Sequence, residues 1–343
     1  MRILLVVPRS YHEERSRRAD RTRELISGLV RADHTAEVAT VKWWDQRSNT
    51  HHDRWTTHHA VGRTKLSIPR LSAELRRHEP DIVHLVDTPV AAIAASSIVG
   101  DAPVVYEATD QGTPLATRRL GQHLTGSIDQ IIIPAEVVAT ELLANGIRSP
   151  METVPDSIDF DLIETVTPAT DVDLVWTGRT LESSNLDDLL LAIAEVPDRA
   201  WQTTIFLDDG VERARRLVAM YDLDDEVEVR TGATRRERIA TYRGASMFVH
   251  TADDCAFATE LLWAMAAGCT GIVQMTPNSS AHELVVTHSN GIRVSNPEEL
   301  VDALLEADSH APMTIDQTLA QYDVSTIIEH LHGLYQRALN HDG

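Results

Sequence analysis

Apolar and polar stretches alternate along all 343 residues of the chain. Short apolar runs, typical of buried strands, are followed by segments whose apolar residues recur at helical spacing. The first pair is an apolar run at Met1–Pro8 and a helical pattern over Ser16–Arg31, with Leu25, Ile26 and Leu29 on one side. This alternation predicts parallel α/β layers with helices packed on the sheets.

The alternation is interrupted once, at Pro155–Asp173, where proline, serine and aspartate cluster without a hydrophobic period. Before this segment we predict strands at Met1–Pro8, Ala36–Val41, Asp81–Val86, Val104–Glu107, Gln130–Pro134 and Met151–Val154. After it we predict strands at Leu174–Thr177, Thr203–Leu207, Val227–Arg230 and Met247–His250, with a further turn between Gly271–Gln274 and Gly291–Val294. The sequence therefore predicts two facing Rossmann-like domains, 1–158 and 159–325, with an interdomain cleft and a final helix, 326–343, that returns to the first domain.

The segment Lys42–Arg63 is polar and carries two histidine pairs, His51-His52 and His58-His59. These histidines lack the i, i+4 spacing of a zinc site on a helix. We expect them on an exposed surface, with metal binding as the lesser alternative.

The chain is strongly acidic, with 52 acidic and 31 basic residues and a net charge of −21. Its only lysines are Lys42 and Lys65. Such a surface repels nucleic acid, so we expect no nucleic-acid partner. It also stays soluble at high salt, where charge repulsion is screened within about 3 Å, and we expect a salt-loving source organism.

Two cysteines, Cys255 and Cys269, provide neither a disulfide framework nor a metal ligand set. No apolar run approaches the ~20 residues of a membrane-spanning helix. The opening MRILLVVPRS is too short for a signal peptide. We therefore expect a cytoplasmic protein without a bound metal.

The segment Thr251–Gly271 reads TADDCAFATELLWAMAAGCTG. It resembles the donor site of the retaining, two-domain glycosyltransferases of family 4, in which a loop of the type E-x-F-G precedes a helix reading L-L-E-A-M-A-A-G. Phe257 and the apolar frame of Leu261–Gly268 match this pattern. Cys255 and Trp263 stand at the two glutamates that hold the donor's sugar and ribose in that family.

A second match is the apolar strand Val175–Thr177 followed by Gly178 and Arg179. The family reads V-G-R here, and the resemblance implies that Arg179 contacts the donor diphosphate. The family's nearby lysine and glycine correspond to Ser184 and Asn185, so one of its two cations is missing.

The helix that begins near Thr259 could bind an anion through its backbone amides alone. Thr259 is a reasonable N-cap, and the amides that follow it would point at an anion. Ala258 replaces the family's glycine. Glu260 lies three residues before Trp263, hence on nearly the same helix face, from which it could reach the ribose; the Trp263 ring could stack on a base or sugar.

The resemblance implies the GT-B fold and a retaining, metal-independent transfer from a nucleotide-sugar donor to a glycan or lipid-linked acceptor, with peripheral membrane contact through the acceptor. It implies no cofactor. Ser10–Arg18 occupies the place of a Gly-Gly loop that helps select the acceptor. Asp110, which follows the strand Val104–Glu107, is a candidate acceptor-side base, as Glu260 is a candidate on the donor side. Asp87 and Thr109 should face the same cleft.

Two other functions remain open. The chain could be a catalytically degenerate protein of the same fold that binds or regulates an active glycosyltransferase, because both motif glutamates are absent. It could also be a sugar-nucleotide epimerase of similar two-domain shape, although no residue constellation supports this.

Overall fold

The computed structural model describes residues 1–8, 16–44, 48–62, 65–99, 101–117, 125–181, 184–286, 288–310 and 314–340. The chain forms two compact units, Met1–Ser157 with Val324–Gly343, and Ile158–Asp323. The predicted divisions at 158/159 and 325/326 differ from these by one and two residues. Each unit is built on a parallel sheet, which confirms the predicted α/β class.

The first unit contains an eight-stranded sheet. Its strands are β1 (Arg2–Val7), β2 (Thr35–Val41), β3 (Thr50–His52), β4 (Thr57–Gly62), β5 (Ile82–Val86), β6 (Val104–Glu107), β7 (Gln130–Ile133) and β8 (Met151–Thr153). Their order is β3-β4-β2-β1-β5-β6-β7-β8; among these described strands the β3–β4 pair is antiparallel and the other neighbours are parallel. The helices between them are α1 (Arg17–Arg31), α2 (Ile68–His78), α3 (Val90–Val99), α4 (Pro114–Thr117) and α5 (Glu136–Ala144), with a 3₁₀ turn at Thr125–Ser127.

The second unit contains a six-stranded, fully parallel sheet and a two-stranded one. Its strands are β9 (Leu174–Gly178), β10 (Thr203–Leu207), β11 (Val227–Arg230), β12 (Met247–His250), β13 (Asp254–Cys255), β14 (Thr270–Gln274), β15 (Asn278–Ser279) and β16 (Gly291–Val294). The large sheet has the order β11-β10-β9-β12-β14-β16, and β13 pairs with β15. Its helices are α6 (Phe160–Thr165), α7 (Leu186–Ala194), α8 (Val211–Met220), α9 (Arg235–Gly244), α10 (Thr259–Ala267), α11 (Ala281–Val285) and α12 (Pro297–Asp308), followed by a 3₁₀ segment at Gln317–Tyr322.

The last helix, α13 (Val324–Asn340), belongs to the first unit and packs on α1. Leu331, Leu334 and Tyr335 of α13 join the apolar core beneath β1. The two helices approach closely at Gly28, where a Cβ atom would lie 2.5 Å from Cγ1 of Ile328. Glycine at this position therefore permits the docking of the last helix.

A buried polar network lies between this core and the sheet. Arg21 of α1 donates to Glu107 at the end of β6 and, at 2.8 Å, to Oδ1 of Asp156. Nε2 of His84 lies 2.9 Å from Oε2 of Glu107, and Nδ1 of His84 lies 2.6 Å from the Tyr335 hydroxyl. Burial alone would raise the pKa of Glu107, but the charge of Arg21 and the contact with His84 lower it to about 2.

The expectation that the histidines of the Lys42–Arg63 segment lie on an exposed surface is wrong for His58 and His59, because the segment contains β3 and β4. His58 and His59 of β4 are buried, whereas His52 is exposed and His51 is partly buried. Acidic partners explain the burial: Nε2 of His58 lies 2.8 Å from Asp53 Oδ2, and Nε2 of His59 lies 2.9 Å from Glu37 Oε2. Burial lowers the pKa of both histidines.

The predicted linker Pro155–Asp173 also contains more structure than expected. Asp159 caps α6 by accepting from the amide of Leu162 at 2.8 Å, and Phe160 and Ile163 of this helix are buried. Among the described residues, no helix is both long and apolar enough to cross a bilayer.

Candidate functional site

The carboxyl edge of the six-stranded sheet is the natural binding edge of the second unit. β9 is the first strand of that sheet; the chain adds β10 and β11 on one side of it and then β12 on the other. Ligands of open α/β sheets bind beyond the carboxyl ends of the strands, where the strand order reverses. The segments that follow β9 and β12 flank this point, and both predicted motifs lie in them.

Hydrogen bonds join the two motifs. Nε1 of Trp176 donates to Oγ1 of Thr251 at 2.9 Å, and the Thr251 hydroxyl donates to the carbonyl of Ser184 at 2.5 Å. Nδ2 of Asn185 donates to Oδ1 of Asp253 at 2.8 Å. The structure therefore brings the Gly-Arg segment and the loop before α10 together at one edge of the sheet.

Two positions at and after the end of β9 restrict the choice of residue. A Cβ atom on Gly178 would lie 2.4 Å from Cη2 of Trp176 and 2.9 Å from Oγ of Ser184. Asn185, where the resemblance places a glycine, has a φ of 47°. Asparagine tolerates this left-handed conformation better than most residues, so the substitution keeps the backbone geometry.

Arg179 is exposed at the end of β9. Its carbonyl accepts from the amide of Asp209 at 3.0 Å, which fixes its backbone against the segment after β10. Among the described residues, none bonds to its guanidinium. The side chain is therefore available to an anionic ligand.

The start of α10 differs in one detail from the prediction. Ala258 is the N-cap and Thr259 is the first helical residue, so the assignment of Thr259 as N-cap is wrong. The φ of Ala258 is −87°, a value that costs a Cβ-bearing residue nothing and explains why glycine is not needed. The first intrahelical hydrogen bond runs from the amide of Leu262 to the Ala258 carbonyl, at 3.0 Å. The amide of Glu260 lies in the first turn, where amides have no acceptor within the helix.

Cys255 and Phe257 precede this helix. Cys255 is partly buried in β13, and its carbonyl accepts from the amide of Ser280 at 2.9 Å. Phe257 is buried, with its ring centroid 6.4 Å from that of Tyr322. Phe257 therefore supports the loop from within the unit.

Glu260 is held by α9. Its Oε1 accepts from Arg235 at 2.9 Å, its Oε2 accepts from the Tyr242 hydroxyl, and Nη1 of Arg238 lies 3.7 Å from Oε2. Burial raises the pKa of this carboxyl, but the charges of Arg235 and Arg238 outweigh it and lower the pKa below its ordinary value. Glu260 is therefore ionised at neutral pH, and a ligand would compete with these partners for its oxygens.

Trp263 is buried, with 2% of its surface exposed. The guanidinium carbon of Arg235 lies 5.0 Å from the centroid of its ring. The ring is thus a packing element beneath Arg235 and not the open stacking surface that the sequence suggested.

The structure adds four residues that the sequence analysis missed: Asp208, Arg235, Arg238 and Tyr242. Arg238 donates to Asp208 at 3.2 Å and approaches Glu260, so it links the segment after β10 to α10. The Thr234–Glu237 capping box and the i, i+3 spacing of Arg235 and Arg238 are visible in the sequence and place both arginines on one face of a helix. Their acidic partners are distant in sequence and could not be predicted.

In the first unit, Asp110 is exposed and its Oδ1 accepts from the amide of Gln111 at 2.9 Å. Asp87 is buried and has a φ of 44°; it accepts from the Thr109 amide at 3.2 Å and from the Thr109 hydroxyl. Burial raises the pKa of Asp87 to about 6, against the lowering effect of the Thr109 bonds. Asp110 is therefore the more accessible carboxylate, and Asp87 the more perturbed one.

Parts of two predicted segments lie outside the described residues. Residues 10–15 of the Ser10–Arg18 segment are among them, as are Glu182 and Ser183 before α7.

Family models match both halves of the chain. Residues 20–162 match the model described as Glycosyltransferase Family 4, and residues 171–309 match Glycosyl transferases group 1. No curated protein sequence matches the chain.

Three of the solved structures that share the fold match the chain at low sequence identity. HepE from Anabaena, in complex with UDP-glucose, has a TM-score of 0.73 at 16% identity, over 98% of this chain and 100% of HepE. Sucrose-phosphate synthase from Thermosynechococcus elongatus has a TM-score of 0.69 at 15% identity, over 100% and 97%. The lipopolysaccharide outer core galactosyltransferase WaaB, in its apo form, has a TM-score of 0.72 at 14% identity, over 98% and 100%. The two α/β units thus have the GT-B fold and carry glycosyltransferase domains.

Proposed function

We propose that this chain, built from two glycosyltransferase domains on the GT-B fold, transfers a hexose from a nucleotide-sugar donor to a glycan or lipid-linked acceptor. The observation that carries the proposal is the junction at the strand-order reversal of the second unit. There the Gly178-Arg179 segment is hydrogen-bonded to the loop before α10, and the Arg179 guanidinium is exposed.

The donor diphosphate is assigned to Arg179 and to the first-turn amides of α10 that follow Thr259, whose own amide donates to the Phe257 carbonyl at 3.1 Å. Transfer leaves negative charge on the departing diphosphate, and a fixed cation beside a helix N-terminus stabilises such charge without a metal. Ser184 stands at the position of a second cation, and its hydroxyl donates to the carbonyl of Thr180. We therefore expect weaker charge stabilisation than in an enzyme with both cations.

The structural neighbours suggest the first donor to test. HepE binds UDP-glucose in its crystal structure. We propose a UDP-hexose as the donor class, with transfer that retains the anomeric configuration. Asp110 is the proposed acceptor-side base. The proposed location of the protein is the cytoplasm. Acceptor contact at a membrane surface is part of the proposal for a lipid-linked acceptor.

Turnover of the donor tests the proposal. The purified chain is incubated with UDP-, ADP- and GDP-hexoses, with and without glycan acceptors, and the released nucleoside diphosphate is quantified. We expect release from one donor class above the buffer blank, and equal rates with magnesium and with EDTA. Absence of release from every donor would leave a binding function only, and dependence on magnesium would exclude the metal-independent mechanism.

Two observations favour a second function, that of a catalytically degenerate partner of an active glycosyltransferase. By the resemblance, Cys255 and Trp263 stand where the family has carboxylates, and Trp263 is buried beneath Arg235. The combined Cys255→Glu and Trp263→Glu exchange separates the two. A decayed site gains donor affinity from the restored carboxylates. A working site loses it, because the α10 packing is disrupted and two further charges face an anionic donor.

A further inference from the structure

Four side chains of the first unit form a compact cluster, here called the Glu37 cluster: Glu37 of β2, His59 of β4, and Glu74 and His78 of α2. Oε2 of Glu37 lies 2.9 Å from Nε2 of His59 and 2.7 Å from Nδ1 of His78. The two imidazole centroids are 4.3 Å apart. Residues separated by up to 41 positions in sequence therefore meet at one point of the sheet surface.

We propose that the Glu37 cluster binds a divalent transition metal ion, with Zn²⁺ the best match. The ligands are Glu37, His59 and His78, each of which offers one ligand atom within 4.8 Å of the others. The contacts of Glu37 Oε2 with Nε2 of His59 and with Nδ1 of His78 point to these three atoms. Two imidazoles and one carboxylate form a common zinc ligand set, and the fourth position is open to water.

The distances suit an ion after a small expansion. Tetrahedral zinc with bonds of about 2.0–2.2 Å holds its ligand atoms about 3.3–3.6 Å apart. The two contacts of Glu37 Oε2, at 2.7 and 2.9 Å, are shorter than this. Each ligand would move outward by roughly 0.5 Å, a shift that side-chain rotation provides.

The proton count of His78 is compatible with an ion. His78 faces a carboxylate from both ring nitrogens: Nδ1 lies 2.7 Å from Glu37 and Nε2 lies 3.0 Å from Glu74. A neutral imidazole carries one N–H and can make only one of these hydrogen bonds, so both contacts require either a second ring proton or a metal on one nitrogen. With a metal on Nδ1, the Nε2 proton is donated to Glu74.

Glu74 occupies the place of an outer carboxylate. Metal-bound histidines usually donate their second N–H to a carboxylate, which fixes the ring orientation. Glu74 Oε2 lies 3.0 Å from Nε2 of His78 and 3.7 Å from Nδ1 of His59. One carboxylate thus faces the outer nitrogens of both histidines.

His59 is the most deeply buried member of the Glu37 cluster. Its side chain is 5% exposed, and its buried Nδ1 has no hydrogen-bond partner. Coordination through Nε2 would leave an N–H on Nδ1, 3.7 Å from Oε2 of Glu74. The Glu37 side chain is 29% exposed, so an ion can enter from solvent.

The ion would join β2, β4 and α2, and so stabilise the edge of the first sheet. This role differs from the donor chemistry assigned to the second unit and does not depend on it. Metal-independent sugar transfer and a zinc ion in the first unit are compatible.

Zinc titration of the tag-free, EDTA-stripped chain tests the proposal. We expect one Zn²⁺ per chain by isothermal titration calorimetry, and visible absorption bands typical of a tetrahedral ion when Co²⁺ replaces it. Glu37→Gln and His78→Ala should lose the stoichiometric site, and Glu74→Gln should weaken zinc about 10- to 100-fold. His52→Ala is the matched control, because His52 lies on the neighbouring strand β3, is exposed and is outside the cluster.

Folding is checked by circular dichroism of each apo variant. If His78→Ala does not fold, Glu37→Gln, which keeps the side-chain size, decides. The proposal is overturned if the wild type binds no Zn²⁺ at micromolar free concentration. It is also overturned if folded Glu37→Gln retains wild-type affinity and Co²⁺ bands.

Discussion

Oε1 of Glu260 accepts a hydrogen bond from Arg235 at 2.9 Å, and this contact ties α10 to α9. The same arginine lies over the ring of Trp263. The start of α10 and the buried Trp263 ring are therefore held by an ion pair within the second unit.

Replacing Glu260 by glutamine should destabilise the second unit by roughly 1–3 kcal/mol, because a partly buried, charged acceptor of Arg235 and Tyr242 is lost. Urea unfolding measures this. Glu212→Gln is the matched control: its ion pair with Arg215 is 77% exposed on the glutamate side, against 26% for Glu260, and should cost about 0.5 kcal/mol or less. Equal losses of unfolding free energy in the two variants would show that the Glu260–Arg235 pair stabilises the fold no more than an exposed ion pair does.

Gly178→Ala should destabilise the second unit by about 1–3 kcal/mol, since the new Cβ would lie 2.4 Å from the buried Trp176 ring. Thermal unfolding followed by Trp fluorescence reports this shift. Gly126→Ala, where a Cβ meets nothing within 4 Å, should leave stability nearly unchanged. A neutral Gly178→Ala would mean that the strand end is looser than described.

The acid limb of stability should depend on Glu107. Its pKa of about 2 in the folded chain lies below the ordinary value of 4.5, so its ionised form stabilises the fold above pH 4.5. That stabilisation is lost as the pH falls from about 4.5 to 2. Glu107→Gln should lower stability at pH 7 and flatten the profile between pH 4.5 and 2; an unchanged acid limb would contradict the role assigned to Arg21 and His84.

Salt should stabilise the chain if its net charge of −21 reflects a saline origin. Added NaCl shortens the screening length from about 10 Å at 0.1 M to about 3 Å at 1 M, which weakens repulsion between surface carboxylates. We expect the melting temperature to rise by several degrees between these concentrations, measured by scanning calorimetry. A constant or falling melting temperature would mean that the acidic surface is no salt adaptation.

The positions of most strands in both units could be predicted because buried parallel strands read as apolar runs, as in Met247–His250 and Thr203–Leu207. The strands β3 and β4 could not, because His58 and His59 replace the apolar residues that mark a buried strand. Their burial depends on Asp53 and Glu37, and pairing between residues that are distant in sequence leaves no local pattern.

In the candidate site, too, local sequence patterns could be predicted, whereas contacts between residues distant in sequence could not. Gly178 and Arg179 were predicted from the family resemblance, because the strand that precedes them is a local pattern that could be aligned with the family's motif. The role of Glu260 was not, because its partners Arg235 and Tyr242 come from the preceding helix. Burial of Trp263 likewise depends on that packing, which replaces the ligand stacking expected from the sequence.

Donor affinity of Arg179→Ala tests the central claim most directly. UDP-glucose is titrated into the wild type, Arg179→Ala and Arg216→Ala by isothermal titration calorimetry; Arg216 is an exposed arginine of α8 in the same unit. We expect Arg179→Ala to weaken binding by about 10- to 100-fold, the value of a charged hydrogen bond to phosphate. Arg216→Ala should bind as the wild type does. Unchanged affinity of Arg179→Ala, or no binding of UDP-, ADP- or GDP-hexoses by the wild type, would contradict a donor site at the end of β9.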